Sequence, residues 1–573
     1  MARQAYPDLP LYRYDWTPLR EGAMRDALSA VALRGPEAAA GAEMGLAGKT
    51  LTIVADEGPV LSYRFTGPSE LTLMEAGGQP IKTGYGAFTF EKVTLFAHLI
   101  PGTLRGYAVV ADHETGLATI VELWFGGEPR PREVSREIYH GYVRTGDGPP
   151  PAARHEATSR IEGKGLFWTD SRGHETIEFY VSTIYTHVVD RTRLDGRTGY
   201  SFPADYIRIT EGIYLFTRIE AEFSGIMTLQ IVDLNGLRQA GLRLGFDGLD
   251  QLEYHMFTGK AEWIGQISRF TAFGDVSGNP LKAPGDEKGA RAVYRPLATM
   301  DKLTPAEVDA VAARTSHAFT EPSAMAGHGL PPSGKLAGRA FTLRYDDGLR
   351  MDYRFESADS LRWRMNDGPW TTTRYNAWEG PPGVFIFGHF LTGTPGHDGH
   401  MVTVDLEAGL ATLFRGYLNT PYIANEAWAE TSFGVAVGEG IPDPGARRHG
   451  FTDELLGRCM TWSYSPGLTS MHLYSSPNTI SWIIFTPSGH GGMQWSGPGD
   501  YVKIRDGLYF VYWREDACNG ALGTILINMN TMHDSGIDYH CDKKELKLGP
   551  VGAYARHAGR FDIARFYNGK DKA

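Results

Sequence analysis

The segment Gly48–Gly58, GKTLTIVADEG, recurs 290 positions later as Gly338–Gly348, GRAFTLRYDDG. The motif YRF at Tyr63–Phe65 recurs at the same offset at Tyr353–Phe355. A run of matches at one spacing indicates internal repetition. Each copy alternates apolar and polar residues, reaches an acidic residue followed by glycine, and continues into a segment with aromatic residues. This pattern is typical of a β-hairpin, so the chain contains a duplicated β unit.

A second pair of segments repeats at an offset of 295. Asp205–Tyr214 reads DYIRITEGIY, and Asp500–Tyr509 reads DYVKIRDGLY. Together the two repeats divide the chain into four modules in the order A, B, A′, B′. The predicted domains are 1–136 for barrel A with an N-terminal helix, 137–282 for barrel B, 283–437 for a linker helix and barrel A′, and 438–573 for barrel B′.

Local patterns between the repeats predict short strands and few helices. Strands are predicted at Glu70–Met74, Lys92–Leu99, Tyr107–Asp112 and Thr119–Phe125. Their spacing of roughly 8 to 12 residues is typical of an antiparallel barrel or sandwich. Helical periodicity is confined to 19–33, to 304–314 and to a C-terminal region, 551–566. The predicted class is therefore all-β.

Composition limits the kinds of partner. The net charge of −11 provides no basic surface, which argues against nucleic acid and anionic membranes. No segment approaches the ~20 apolar residues of a membrane span, and the N-terminus lacks the apolar core of a secretory signal. Only three cysteines occur, at Cys459, Cys518 and Cys541, without CxxC spacing. We therefore expect a cytoplasmic protein with a small-molecule ligand.

The B modules resemble phenolic acid decarboxylases, and the A and B pairing resembles MoaF-type proteins. In module B the decarboxylase resemblance rests on the hairpin Gly163–Gly173, on Gly196–Arg197, and on the strand Thr210–Tyr214 that continues to Glu220. MoaF-type relatives are built from two calycin, or lipocalin-like, barrels. The resemblance therefore implies four such antiparallel β-barrels, arranged as two copies of a two-barrel unit, with a few short helices.

The decarboxylase resemblance also implies a chemistry. Enzymes of that family use no metal and no organic cofactor, and rely on a glutamate, an arginine and two tyrosines. The glutamate falls on Glu220 and Glu515, and the arginine falls on Arg197. The tyrosine pair falls on Trp168 and Asp170 in B and on Trp462 and Tyr464 in B′. Neither module keeps the complete set.

The residues themselves support acid–base roles. An acidic side chain inside an apolar barrel is desolvated, which raises its pKa toward neutrality. An arginine beside it could bind an anion, or the two could form a structural salt bridge. The predicted catalytic residues are Glu220, Arg197, Glu515, Tyr464 and His490, the last in a glycine-rich loop. The predicted substrate-binding residues are Trp168, Asp170, Tyr214, Trp462, Trp495, Tyr509 and Trp513.

We therefore predict a cofactor-independent lyase that acts on a small phenolic or aromatic compound through a quinone-methide-like intermediate. The bond broken is carbon–carbon or carbon–oxygen, as in a decarboxylase or dehydratase. The alternative is a non-catalytic carrier that binds an aromatic or apolar molecule in a lipocalin-like barrel. The histidine-containing segments near 397–400 and 532–541 lack a recognised zinc spacing, so no metal site is predicted. We expect a monomer or a homodimer.

Overall fold

The computed structural model describes residues 20–40, 45–127, 130–182, 184–192, 196–220, 225–247, 250–268, 302–315, 325–419, 423–484, 494–515 and 520–567. The described chain divides into two compact units. The first contains the described parts of Met1–Gly196 and Ser201–Gly265. The second contains those of Arg197–Tyr200, Gln266–Asn279 and Val293–Ala573.

Two α-helices occur in the described chain, α1 at Glu21–Ala32 and α2 at Pro305–Arg314. Helix α2 begins with the predicted capping box, in which Thr304 and Glu307 hydrogen-bond each other's backbone amides. The predicted C-terminal helix is wrong, because the chain there forms a strand at Tyr554–Arg560 and a short 3-10 turn at Ala564–Phe566. This strand is held by antiparallel pairing with Arg458–Ser465.

Barrel A is a nine-stranded antiparallel sheet in the order β4-β3-β2-β1-β9-β8-β7-β6-β5. The strands are β1 (Thr50–Ala55), β2 (Val60–Phe65), β3 (Glu70–Glu75), β4 (Ile81–Gly84), β5 (Gly86–Phe90), β6 (Val93–Leu99), β7 (Arg105–Asp112), β8 (Leu117–Gly127) and β9 (Arg130–Val143). Only Tyr85 separates the two end strands, β4 and β5. The two edge strands of the sheet are thus the two halves of one bent segment. This bend brings the edges together and nearly closes the barrel.

Barrel B is also antiparallel, and an additional β14–β15 pairing closes it. Its strands are β10 (Glu156–Ala157), β11 (Lys164–Asp170), β12 (Glu175–Tyr180), β13 (Tyr185–Asp190), β14 (Gly199–Thr210), β15 (Ile213–Ile219), β16 (Met227–Asp233), β17 (Arg238–Phe246) and β18 (Leu252–Gln266). The predicted boundary at 136 is displaced, because β9 continues to Val143 within the sheet of barrel A.

Barrel A′ repeats the strand order of barrel A, including the single tyrosine, Tyr375, between its end strands. Its strands are β19 (Ala340–Tyr345), β20 (Arg350–Phe355), β21 (Ser360–Met365), β22 (Thr371–Arg374), β23 (Asn376–Glu379), β24 (Val384–Phe390), β25 (Gly399–Asp405), β26 (Leu410–Leu418) and β27 (Ala427–Val437). The offset of 290 between Tyr85 and Tyr375 therefore marks equivalent bends.

Barrel B′ has ten strands and is closed by an additional β32–β33 pairing. They are β28 (Gly450–Phe451), β29 (Arg458–Ser465), β30 (Leu468–Ser476), β31 (Thr479–Ile484), β32 (Gln494–Arg505), β33 (Leu508–Glu515), β34 (Ala521–Asn528), β35 (His533–Cys541), β36 (Leu546–Val551) and β37 (Tyr554–Arg560). The fold-class prediction is confirmed: the described chain is all-β, built of multiple antiparallel barrels with few helices.

Each unit has a core between the outer faces of its two barrels. In the first unit, residues of β6 to β8 pack against residues of β15 to β17. In the second unit, β24 to β26 pack in the same way against β33 to β35. These strands are buried on both faces. One face packs against the neighbouring barrel, and the opposite face lines the interior of the strand's own barrel.

The repeated histidines of barrels A and A′ form buried hydrogen bonds. His98 Nε2 lies 3.3 Å from the Tyr63 hydroxyl, and His389 Nε2 lies 3.0 Å from the Tyr353 hydroxyl. Burial lowers the pKa of each histidine to about 4. Both imidazoles are therefore neutral at pH 7 and belong to the barrel cores.

Candidate functional site

The alternation of β15 identifies the side chains that face into barrel B. Leu215 and Ile219 pack in the core shared with barrel A. Because successive side chains of a strand point to opposite faces, Phe216 and Arg218 face the barrel interior. Phe216 packs there with Trp168 of β11.

A hydrogen-bonded chain of buried side chains crosses this interior. Trp168 Nε1 donates to the Tyr180 hydroxyl over 3.1 Å, and that hydroxyl donates to Glu178 Oε2 over 3.2 Å. Arg218 Nη1 donates to Glu178 Oε1 over 2.7 Å, and the Thr186 hydroxyl donates to the same oxygen over 3.2 Å. Burial, and then the charge of Glu178, raise the pKa of Tyr180. The chain thus holds a phenol and a carboxylate together, away from bulk water.

Glu220 lies directly after β15, and its carboxylate binds Arg243 of β17. Arg243 Nη1 donates to Glu220 Oε1 over 2.8 Å, and Arg243 Nε donates to Glu253 Oε2 over 2.8 Å. Arg243 Nη1 also donates to the Thr228 hydroxyl over 3.2 Å. The Glu220 carboxylate is thus compensated by Arg243, which also binds Glu253.

Arg243, which the sequence analysis did not identify, pairs with Glu220, and the predicted role of Arg197 stays a prediction. Arg197 precedes β14 in the stretch Arg197–Tyr200, which clusters with the second unit. Its carbonyl oxygen accepts a hydrogen bond from the Thr479 hydroxyl over 3.4 Å.

Two further predicted residues of barrel B have different surroundings. Asp170 ends β11, and its Oδ1 accepts from the backbone amides of Arg172 and His174 over 2.8 and 2.9 Å. This geometry stabilises the hairpin turn. Tyr214 is buried and faces the interior with Trp168, and its role in substrate binding stays a prediction.

The interior of barrel B′ is aromatic where that of barrel B is charged. The Tyr464 hydroxyl lies 3.4 Å from His472 Nε2, and the His472 ring contacts the rings of Trp462 and Trp513 at 6.0 and 5.2 Å between centroids. Trp513 Nε1 donates to Glu515 Oε1 over 3.1 Å. Burial lowers the pKa of His472 to about 3. The structure thus brings four predicted residues together around an imidazole that the sequence analysis missed.

Trp495 and Tyr509 lie at different parts of the same barrel. Trp495 is directly opposite Trp482 in the β31–β32 ladder, and Trp482 is opposite His472 in the β30–β31 ladder, so all three share the interior face. The Tyr509 hydroxyl donates to Glu454 Oε2 over 2.6 Å. Glu454 is partly exposed, so Tyr509 lies toward a barrel end. His490 lies outside the described residues.

A buried carboxyl group, Asp534, also faces into barrel B′. Its neighbour Ser535 pairs with Leu526, which belongs to the core shared with barrel A′. Asp534 therefore points to the opposite face, toward the interior. Its side chain is buried, and burial raises its pKa to about 8. A carboxyl group with this pKa is mostly protonated at pH 7.

The sequence analysis missed Glu178, Tyr180, Arg218, Arg243 and Asp534. A usable signal was present for the first two, since Glu178 and Tyr180 are two residues apart in the strand Glu175–Tyr180 and therefore point to the same face. Asp534 was grouped instead with nearby histidines as a weak metal-ligand cluster. Among the residues that the structure describes, no group of three or more His, Cys, Asp or Glu side chains could hold a metal ion. None of the described helices is long and apolar enough to span a membrane.

Fold and interior together define a class of protein: antiparallel β-barrels in two-barrel units whose second barrels enclose buried polar side chains. Comparison with known proteins shows a MoaF-type similarity over part of the chain. Residues 318–419 match the MoaF N-terminal domain, and residues 449–560 match the MoaF C-terminal domain. The MoaF-type prediction is confirmed, and this stretch carries the two MoaF domains in their expected order.

Two individual proteins are also similar to the chain. "Protein MoaF" of Klebsiella aerogenes is 28% identical over 250 residues, which span 40% of this chain and 91% of that protein. A solved structure described as "a putative beta-lactamase from Burkholderia vietnamiensis" is 11% identical, with a TM-score of 0.17, and covers 19% of this chain and 99% of its own.

Proposed function

We propose that the chain is a cofactor-independent lyase that acts on a small phenolic or aromatic compound, with the interior of its second barrels as the reaction site. The supporting observation is the buried chain of Trp168, Tyr180, Glu178 and Arg218 in barrel B. Arg218 Nη1 donates a hydrogen bond of 2.7 Å to Glu178 Oε1 and holds this carboxyl group in place. Glu178 can then accept a proton through Tyr180 from the hydroxyl of a bound phenol.

The proposed reaction is the loss of CO2 from a para-hydroxyaryl side chain. The side chain carries a carbon–carbon double bond between the ring and the carboxylate. The phenol gives up its proton to the Tyr180–Glu178 pair, which returns it to the phenolate after CO2 has left, while a proton from solvent is added to the side-chain carbon next to the carboxylate. These two transfers give a quinone methide. The bond to the carboxylate then breaks, CO2 leaves, and the electron pair of that bond restores the aromatic ring. No cofactor is required, because the substrate's own ring accepts the electrons.

The test is an ultraviolet assay with hydroxycinnamates and para-hydroxyaryl carbinols, supported by product analysis. Glu178→Gln and Tyr180→Phe are each expected to reduce kcat/KM by roughly 10²- to 10⁴-fold, as for the loss of a general acid or base. Tyr206→Phe is the matched control, because the Tyr206 hydroxyl donates to the Tyr185 carbonyl oxygen and not to Glu178. The double variant Glu220→Gln, Glu515→Gln tests the carboxylates that the family resemblance selects.

Unchanged turnover in Glu178→Gln and Tyr180→Phe would refute these two residues as the acid–base pair. Unchanged turnover in the Glu220, Glu515 double variant as well would remove the acid–base mechanism from the second barrels altogether.

A second candidate is a carrier that binds an aromatic molecule without reaction. One observation favours it: Arg218 binds Glu178, and Arg243 binds both Glu220 and Glu253, so these barrel B charges are compensated without any ligand. Such a network also fits a structural role. Saturable binding of the same phenols with unchanged ligand recovered after prolonged incubation would favour the carrier over the lyase.

A further inference from the structure

Buried polar atoms without hydrogen-bond partners cluster inside barrel B′. They are Asp534 Oδ2, His472 Nδ1 and the indole nitrogens of Trp482 and Trp495, none of which has a hydrogen-bond partner among the described residues. All four side chains are buried. Buried polar atoms in folded proteins almost always have partners, so these four atoms of one barrel interior are candidates for hydrogen bonds to a bound molecule.

The two carboxyl oxygens of Asp534 have different surroundings. Oδ1 accepts the backbone amide of Ala553 over 2.6 Å, which fixes the orientation of the carboxyl group. Oδ2 is left facing the barrel interior. No cation among the described residues forms an ion pair with Asp534. A carboxyl group held in this way is suited to donate a hydrogen bond from Oδ2.

The titratable and charged groups near Asp534 come from several strands. Tyr464 on β29 and Tyr474 on β30 both experience its charge. Glu515 on β33 acts on Tyr464, and Arg458 on β29 acts on Tyr474. His472 lies 3.4 Å from the Tyr464 hydroxyl. These neighbours are mostly uncharged aromatic rings, which provide flat faces for a ring to stack against.

We propose that the interior of barrel B′ binds an uncharged aromatic molecule carrying a hydrogen-bond acceptor, which Asp534 holds through a hydrogen bond donated from Oδ2. The proposal rests on the proposed function for the aromatic nature of the ligand, but it requires no reaction. Burial raises the pKa of Asp534 to about 8, so the donor is present at pH 7. An anionic ligand finds no matching cation at this carboxyl group, and above pH 8 the ionised carboxylate repels acceptors.

The test compares benzamide with benzoate, two probes of nearly the same shape that differ in charge. Their dissociation constants are measured by calorimetry and by tryptophan fluorescence with the full chain. At pH 6.5 benzamide is expected to bind at least roughly tenfold more tightly than benzoate, with a Kd on the order of 1 mM or below. Between pH 6.5 and 9.5 its affinity is expected to fall roughly tenfold or more as Asp534 ionises.

Variants locate the site. Asp534→Asn keeps an oxygen for the Ala553 amide and a donor toward the interior, so benzamide binding is expected to remain while its pH dependence disappears. Asp534→Ala removes the donor and is expected to weaken binding roughly tenfold. Gln239→Asn, at the equivalent position of barrel B, is the matched control and leaves both quantities unchanged. Thermal unfolding confirms that each variant is folded.

Three results would overturn the inference: benzoate binding as tightly as benzamide, a pH dependence retained in Asp534→Asn, or no benzamide binding at about 10 mM. Failure of the lyase assay is a separate result, since the probes are not substrates. Benzamide binding without turnover of any phenol would refute the proposed reaction and leave this site standing.

Discussion

Barrels B and B′ have the same strand pairing and differ in the side chains of their interiors. Glu178 is opposite Leu166 in barrel B, and His472 is opposite Met460 at the equivalent place in barrel B′. Arg218 is opposite Ala204 in barrel B, and Trp513 is opposite Gly499 at the equivalent place in barrel B′. An ion pair of 2.7 Å in one barrel is thus replaced by a ring contact of 5.2 Å in the other.

This difference shows that the two positions changed as a pair. Replacing only the glutamate would have left a buried arginine charge without compensation, and replacing only the arginine would have left a buried carboxylate. A third position differs as well: Gln239 is opposite Val232, whereas Asp534 is opposite Ile527. The two barrels therefore keep the same strand register and differ at these three interior positions, among others.

The largest expected effect comes from breaking this pairing in barrel B. Glu178→His leaves Arg218 buried without its carboxylate and is expected to reduce the free energy of opening of barrel B by about 3–5 kcal/mol. Adding Arg218→Trp recreates the pair of barrel B′ and is expected to recover most of the loss. Native-state hydrogen exchange of β12 and β15 peptides measures both changes.

Peptides of barrel A′ serve as the internal reference in this experiment, because exchange reports the opening of each region separately. A double variant no more stable than Glu178→His would contradict the paired replacement, since it would mean that the two barrels differ in more than these two side chains.

The second-largest expected effect is on stability, comes from replacing Asp534 and depends on pH. Folded protein holds a proton on Asp534 up to a pKa of about 8, whereas the unfolded chain releases it near 3.8. Raising the pH between these values therefore destabilises the wild type. Relative to it, Asp534→Asn is expected to gain stability by up to about 1.4 kcal/mol per pH unit between pH 4 and 8, with no further gain above pH 8.

Unfolding measured by hydrogen exchange of β35 peptides at several pH values checks this slope. Gln239→Asn, which exchanges one amide for another in barrel B, is expected to follow the wild type at every pH. Parallel curves for Asp534→Asn and the wild type would mean that Asp534 is ionised in the folded protein.

The fold could be predicted from the sequence because its signals are local or repeated. The alternation and turns that predicted strands at Glu70–Met74 and Tyr107–Asp112 are confirmed by β3 and β7. The exception is the C-terminal region, where short apolar spacings suit either a helix or a half-buried strand. The region forms strand β37 because it pairs with β29. A local sequence pattern cannot predict that pairing, since β29 is distant in the sequence.

The site could be predicted only in part. Trp168, Trp462, Tyr464 and Trp513 were identified from alternation and from the family motif, and all are buried in the barrels. Their partners depend on which strands become neighbours. Arg243 reaches Glu220 from β17, across the sequence gap that holds β16. A sequence pattern gives the face of a residue but not the register of non-consecutive strands.

The smallest expected effect tests how closely Thr186 depends on the barrel B pair. Its hydroxyl donates to Glu178 Oε1, and Ile480 occupies the equivalent place in barrel B′, where no carboxylate is present to accept a hydrogen bond. Thr186→Val is expected to cost about 1–2 kcal/mol of barrel B stability, because a charged group loses a hydrogen bond. In the Glu178→His, Arg218→Trp background the same substitution is expected to be nearly neutral. Hydrogen exchange of the four proteins completes a double-mutant cycle, and an equal cost in both backgrounds would show that Thr186 stabilises the barrel independently of Glu178.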